Sequence, residues 1–403
     1  LLGYGGRRKP PPYGPDAWRF PAVTPPNLEQ CSVRRCFKRD HGATCEVCRE
    51  HAAAEDDRPP EGLPIDVERL RRWRERGRTD YGEIWPPPLP EEWCEDIGER
   101  GGANNGDPNG RALEGIGLQA MPAISMRRAR AENRPRLMCI LYTTADKHYS
   151  NIRVIRETWA SDCDGFLVYS TETDPRIPAL HIEHEGPEEY GNIWQKVRAI
   201  WKHVHANYRS RFDFFMIGGH DIFVMPENVR EYLISILGSG PNARTANDNF
   251  FLGHRFKTAG GDVFNSGGSG YILSRGALRT FMANVNDRSC APNVVSAMED
   301  VYMARCLRDT AGILPYDTRD EQGRERFHPF APSPHFYWKP AKPGQEKDWY
   351  EKYSVWGIGL GAKCCAPDSV SFHYLKRPAM VRHLYSLLYP CRQVKASQEL
   401  SAK

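Results

Sequence analysis

Several short clusters in this sequence have residue types that do chemistry. Glu299 and Asp300 are adjacent carboxylates at what reads as the start of a helix. A carboxylate held in a cleft can take a proton from a hydroxyl as that oxygen attacks a carbon, although two acids here also simply favour a helix N-terminus. His220 and Asp221 follow an apolar run, 212–217, that reads as a strand. A carboxylate beside an imidazole can serve a ligand site, whereas a lone histidine at a strand end is usually structural. Gly267, Gly268 and Gly270 stand between two strand-like segments, where missing side chains allow close approach to a ligand, or else a bulge or hairpin. Trp194, Trp338, Tyr353 and Trp356 offer aromatic faces on which the apolar surface of a ligand could pack, though aromatics more often fill a core or a surface.

These residues need elements to hold them. Residues 137–144 form a compact apolar run and read as a buried strand, 154–159 as part of a helix, and 165–170 as the next strand. Ile193, Trp194, Val197, Ile200, Trp201 and Val204 recur at i, i+1, i+4, i+7, i+8 and i+11, which is one face of a helix. Pro226 opens another helix at its first turn. Strands alternating with helices at this spacing imply an α/β sheet covered on both faces. Ligands of such sheets sit at the carboxyl ends of the strands, which is where His220 and Asp221 fall.

The chain has 403 residues and a formal net charge of +4. The length allows a substantial buried core, and neither the charge nor any aromatic-and-basic stripe points to nucleic acid. Twelve cysteines fall largely in short-range pairs and one adjacent pair, a spacing that reads as disulfides in an oxidising compartment. No run reaches the apolar length that spans a bilayer. The chain opens on Leu1, so a signal or membrane anchor is expected from upstream sequence. It carries no Asn-x-Ser/Thr sequon. Residues 1–133 are expected to form a stem-like, partly disordered region, because Pro-, Gly- and Arg-rich stretches such as Pro10-Pro11-Pro12 bury little. Within it Cys31, Cys36, Cys45 and Cys48 suit two disulfides, or zinc at a spacing that is no standard finger. Val67, Leu70 and Trp73 mark a short amphipathic helix, and 101–110 reads as a loop. A globular domain is expected over 134–392 and a tail over 393–403.

From Arg136 to Tyr389 a series of short motifs follows. These are Glu157-Thr158-Trp159, Asn192-Ile193-Trp194-Gln195-Lys196, Ser266-Gly267-Gly268-Ser269-Gly270-Tyr271, Glu299-Asp300, Asp317-Thr318-Arg319-Asp320, Phe327-His328-Pro329-Phe330, Cys364-Cys365 and Ser371-Phe372-His373-Tyr374. In this order the motifs together resemble glycosyltransferase family 31, and within it the core 1 β1,3-galactosyltransferases. The resemblance implies a GT-A fold, a Rossmann-like mixed sheet with helices on both faces, here preceded by the irregular N-terminal region. It implies an inverting transfer from UDP-galactose, in β1,3 linkage, to a GalNAc-Ser/Thr or related glycoprotein or glycopeptide acceptor. Mn²⁺ is the implied cation, and the Golgi or ER lumen the compartment, with type II membrane anchoring in the full-length form and room for a homodimer.

An inverting transfer needs one base opposite the leaving UDP and no paired acid, since a metal stabilises the anionic leaving group. Asp300 matches the family's base, with Glu299 beside it as the second catalytic candidate. Where the family carries Asp-x-Asp, this chain has Gly219-His220-Asp221, so the second carboxylate is kept and the first is lost. Asp221 and His373 are the expected metal ligands. Gly219, His220, Gly267 and Gly268 are expected at the donor, together with Thr143 and Arg156, whose alternative readings are a strand-end cap and an exposed helix charge. Trp194, Trp338 and Trp356 are the substrate-binding aromatics. Cys139 and Cys163 flank a strand–helix unit and Cys290 and Cys306 bracket Glu299-Asp300; each pair is expected as a disulfide contributing about 3 kcal/mol. The partners of Cys364 and Cys365, and of Cys94 and Cys391, stay open. The loss at Gly219 keeps a second reading in play, a catalytically silent chaperone-like relative. A third is an active transferase that uses another UDP-sugar, such as UDP-GlcNAc.

Overall fold

The computed structural model of the chain describes residues 134–174 and 177–389. The region expected over 1–133, with its cysteine cluster, short helix and loop, and the tail over 393–403 lie outside the described residues.

In chain order the strands are β1 (Leu137–Tyr142), β2 (Gly165–Ser170), β3 (Ala179–His181), β4 (Phe214–Gly219), β5 (Phe223–Val224), β6 (Phe251–Gly253), β7 (Arg255–Lys257), β8 (Val263–Asn265), β9 (Tyr271–Ser274), β10 (Phe327–His328) and β11 (Ser371–Phe372). The α-helices are α1 (Arg153–Glu157), α2 (Ile193–Tyr208), α3 (Pro226–Leu237), α4 (Arg275–Asn284), α5 (Glu299–Ala311), α6 (Pro332–Tyr337), α7 (Trp349–Tyr353) and α8 (Pro378–Leu388).

The main sheet runs β3-β2-β1-β4-β9-β6. Its first four strands are parallel, and β9 runs antiparallel between β4 and β6. This is the mixed sheet that the resemblance implied. From β1 the chain steps outward to β2 and β3, then returns to the other side of β1 as β4. Such a reversal leaves a crevice beyond the carboxyl ends of β1 and β4, where Tyr142 and Gly219 are partners in register.

Successive side chains of a strand serve opposite faces. Leu137, Cys139 and Leu141 pack with Phe214 and Met216 against α1, α3 and α8. Met138, Ile140, Phe215 and Ile217 pack on the other face against α2, α4 and α5. With both faces covered, every residue of β2 is buried, which is why its sequence reads as an unbroken apolar run rather than an alternation. The expected stripe on α2 holds: Trp194, Val197, Ile200, Trp201 and Val204 are all fully buried. Pro226 opens α3 as expected. The helix α5 ends on Gly312, whose φ of +66° lets the chain turn away.

A smaller sheet, β10-β11-β5, pairs Phe372 of β11 antiparallel with Phe223 of β5. This register carries residue 373 back beside residue 221. Disulfides reinforce the frame: Cys139–Cys163 ties β1 to the approach of β2, and Cys290–Cys306 ties a short turn to α5. Cys364 and Cys365, whose partners the sequence left open, are bonded to each other. Among the described residues no helix is long and apolar enough to cross a membrane.

Candidate functional site

The site is organised by the turn 266–270, closed by the Gly270 N–H donating to the Gly267 carbonyl at 3.0 Å. Gly270 has a φ of +70°, where a side chain would be strained. Asp300 holds the turn from the α5 side, its Oδ2 accepting from the Gly267 N–H and its Oδ1 from the Val301 N–H, each at 2.9 Å. A Cβ on Gly267 would lie 2.0 Å from Glu299 Oε1, and one on Gly268 would lie 2.5 Å from the His373 ring. The absent side chains of these glycines therefore make room for Glu299 and His373. The Ser371 hydroxyl donates to the Ser269 carbonyl at 2.6 Å and pins β11 to the same turn. One short segment thus joins the carboxylates of α5 to the histidine that follows β11.

The two acids of α5 have different environments. Glu299 is buried, and its Oε2 accepts from the Tyr271 hydroxyl at 3.0 Å. Burial, then the charge of Asp300, pushes the Glu299 carboxyl well above the ordinary range, against the opposing pull of that hydroxyl. Burial also raises Asp300, with the N–H donors of Gly267 and Val301 pulling the other way. Both carboxyls are thus pushed toward the neutral form, Glu299 the more strongly, and Asp300 is the one of the two that is partly exposed.

At the other end, Asp221 Oδ1 and His373 Nε2 lie 3.3 Å apart. The β5–β11 pairing brings them together, and the Leu375 N–H donating to the Asp221 carbonyl at 2.9 Å holds the register. His373 Nδ1 is 3.2 Å from the Pro329 carbonyl, which can only accept. Nδ1 therefore donates to that carbonyl and Nε2 is directed at Asp221, where it donates to the carboxylate when the ring is protonated and offers its lone pair when a cation is bound, the arrangement that orients a metal-binding imidazole. Two acceptor atoms at this spacing suit a shared cation, since an octahedral ion with bonds of about 2.1 Å sets neighbouring donors about 3 Å apart. Among the described residues no group of three or more His, Cys, Asp or Glu converges for a metal. A cation here would have two protein donors and open positions for phosphate oxygens and water, the usual style of hard cations at phosphate sites. Burial alone would raise the Asp221 carboxyl; the hydrogen bond and charge of His373, with His220, outweigh it and hold the group below the ordinary range. Burial lowers His220, whose charged neighbours are Asp221, Lys147, Asp146 and His373.

The remaining candidates divide. Thr143 lies just past the end of β1, donating its N–H to the Tyr169 carbonyl at 2.8 Å and accepting at its own carbonyl from Lys196 Nζ at 3.3 Å. Arg156 lies on α1, lowered to about 10 by burial, with Glu157, Arg153 and Tyr149 as its electrostatic neighbours, none of them in the cluster above. Trp338 is half-buried, its indole donating to Asp348 at 3.0 Å and its edge against Tyr350.

One aromatic assignment is corrected, and another has cationic neighbours. Trp194 is fully buried, its indole N–H donates to the Ala291 carbonyl at 3.0 Å, and its ring stacks on Tyr302. It is core and has no face to offer a sugar. Trp194→Ala is accordingly expected to cost about 3–5 kcal/mol of stability. A lowered urea midpoint with unchanged KM values for the folded fraction would check this. Trp356 carries the Arg319 and Arg255 guanidinium groups 3.8 and 4.8 Å from its ring centroid, and both arginines also pair with Asp317. These cations cover part of a side chain that otherwise stays exposed.

Two residues at the crevice escape the sequence reading. Lys196 is buried on α2, its Nζ 2.7 Å from Glu188 Oε1 as well as near the Thr143 carbonyl. The signal was a lysine next to the apolar stripe of that helix. Tyr142 ends β1 opposite Gly219, and only the strand register reveals that pairing.

No family model matches the chain. Over 255 residues it is 29% identical to glycoprotein-N-acetylgalactosamine 3-beta-galactosyltransferase 1 of Xenopus laevis, covering 63% of this chain and 65% of that protein. Over 253 residues it is 26% identical to chondroitin sulfate synthase 3 of Homo sapiens, covering 59% of this chain and 28% of that protein. Chondroitin sulfate glucuronyltransferase of Homo sapiens is 25% identical over 244 residues, 55% of this chain and 30% of that protein. The chain therefore spans just under two thirds of the first relative and under a third of the other two. The similarity bears out the resemblance to family 31 and supports a glycosyltransferase. It reaches more than one branch and does not single out galactose.

Proposed function

We propose that this chain, a relative of the family 31 glycosyltransferases, transfers galactose from UDP-galactose in β1,3 linkage to a GalNAc-Ser/Thr or related glycoprotein acceptor, with inversion at the sugar. The observation that carries the reading is the convergence of Asp300 and the Asp221–His373 pair on one glycine turn, at the crevice where the strand order reverses.

Asp300 takes the proton of the acceptor hydroxyl as its oxygen attacks the anomeric carbon, and the bond from that carbon to the UDP oxygen breaks on the opposite face. Glu299, neutral at working pH, holds Tyr271 and the glycine turn in place and touches no reacting atom. Asp221 and His373 would hold a divalent cation, Mn²⁺ in this reading, which supplies Lewis-acid stabilisation to the diphosphate. Asp-x-Asp has lost a carboxylate at Gly219, but the Asp221–His373 pair keeps the donor set that a diphosphate-bound cation needs. The three disulfides among the described residues support a luminal compartment.

The division of roles between the acids has its own test. Glu299→Gln keeps the shape and the neutral state, so it is expected to retain transfer within about fivefold, a cost on the scale of one altered hydrogen bond. A loss as deep as that of an Asp300 variant would instead make Glu299 a catalytic group.

The reading as a whole is tested by offering a GalNAc-threonine peptide with UDP-galactose, UDP-GlcNAc and UDP-glucuronic acid in separate reactions. The expected product is a β1,3-linked galactose, released by a linkage-specific galactosidase. Transfer of glucuronic acid or GlcNAc in place of galactose would overturn the donor assignment.

A further inference from the structure

We propose that Tyr142 reads the transferred sugar of the donor, its hydroxyl donating to a hexose hydroxyl, and that Gly219 leaves the adjoining side of its ring uncovered. The inference rests on the donor-site reading above and deepens it.

Tyr142 and Gly219 are the last residues of β1 and β4 and are direct partners in the parallel register. Both strands end at the crevice, so whatever projects from these positions faces a ligand there. A Cβ built on Gly219 would stand 3.7 Å from Tyr142 Cε2 and 3.1 Å from Asp221 Oδ1. The ring is thus at ordinary contact distance from that position, while the Asp221 carboxylate is close enough to be crowded by a side chain there. The missing carboxylate of Gly219-His220-Asp221 therefore leaves the ring of Tyr142 uncovered on the side that faces residue 219.

The placement of that ring indicates what it touches. Tyr142 is only partly buried, and among the described residues no hydrogen bond ties down its hydroxyl. Its electrostatic neighbours are Glu299, then Tyr190, Asp221 and Asp300, so it borders both the base end and the cation end of the site. The anomeric carbon must lie between a base and a diphosphate, and a side chain that borders both stands beside the sugar on that carbon. A phenol hydroxyl both donates and accepts hydrogen bonds, so it can pair with a neutral sugar hydroxyl without competing for the cation. A phenol is also a flat apolar wall, the other feature that a hexose ring uses.

Tyr142→Phe removes the hydroxyl and keeps the ring, so the fold is undisturbed. Titration calorimetry of the parent and the variant, each with Mn²⁺, against UDP and against UDP-galactose separates the possibilities. The expected result is unchanged affinity for UDP and an affinity for UDP-galactose about five- to tenfold weaker, the scale of one lost hydrogen bond. Equal affinity of parent and variant for UDP-galactose overturns the assignment, and so does an equal loss for UDP and UDP-galactose, which would place the hydroxyl on the diphosphate. A parent chain that binds neither ligand overturns the donor-site reading itself, and the Tyr142 assignment with it.

Discussion

Asp300→Asn is expected to lower transfer by two or more orders of magnitude while UDP affinity stays within about twofold, the scale of a removed general base. The substitution keeps the size of the side chain at the start of α5. It also leaves the cation end untouched, since Asp221 and His373 reach the turn from β4 and β11. Because burial raises Asp300, the acid limb of the parent's kcat/KM profile should lie above the ordinary carboxylate value of about 3.9, and the variant should lose that limb. The sign for stability is opposite to that of a salt-bridged carboxylate. A carboxyl whose folded value is raised binds its proton more tightly when folded, so its contribution is fullest in acid and declines as pH climbs from the ordinary value through the raised one. The parent's urea midpoint should carry that contribution in addition to the one of the same sign from Glu299, and the variant's pH dependence should be shallower by it. Full activity in Asp300→Asn would remove the base from this account.

Asp221→Ala is expected to abolish transfer to within background, a loss on the order of a thousandfold or more, since Lewis-acid stabilisation of a leaving diphosphate is worth several kcal/mol. His373→Ala should lose one to two orders less, because a carboxylate and phosphate oxygens still satisfy a hard cation. Asp221→Ala should also lose the Mn²⁺ dependence of UDP binding and His373→Ala should weaken it, a readout that a purely structural defect would not give. The imidazole of His373 owes its position to Gly268, whose absent Cβ would sit 2.5 Å from the ring, and to the Pro329 carbonyl that fixes its tautomer.

Much of this arrangement is legible in the sequence, for physical reasons that differ from element to element. The strands β1, β2 and β4 announce themselves because a sheet covered on both faces demands continuous apolar runs. The helix α2 shows its period because only one face meets the sheet. Glu299 and Asp300 can be placed at a helix start, but how strongly each is pushed toward its neutral form depends on burial and on partners such as Tyr271, and neither is a local property. Trp194 misleads for a related reason. Its helical spacing with Val197 and Trp201 already puts it on the buried stripe, and its presence in a motif says nothing about which way the ring faces. Gly267 and Gly268 read as places for a ligand, yet the atoms that fill their missing side chains belong to Glu299 and His373. The pairing of Tyr142 with Gly219 is set by strand register, and that of Asp221 with His373 by the short β5–β11 ladder. Contacts across such distances in the chain cannot be read from spacing alone.

The most direct measurement of the central claim is turnover of UDP-galactose on a GalNAc-threonine peptide, with Mn²⁺ and after its removal by chelation, with UDP affinity measured in both conditions. Transfer that requires the cation, with UDP binding tightened by it, is the predicted result. Equal UDP binding with and without Mn²⁺ and no transfer to the peptide would contradict it, and would leave the chain as a catalytically silent relative that binds without reacting.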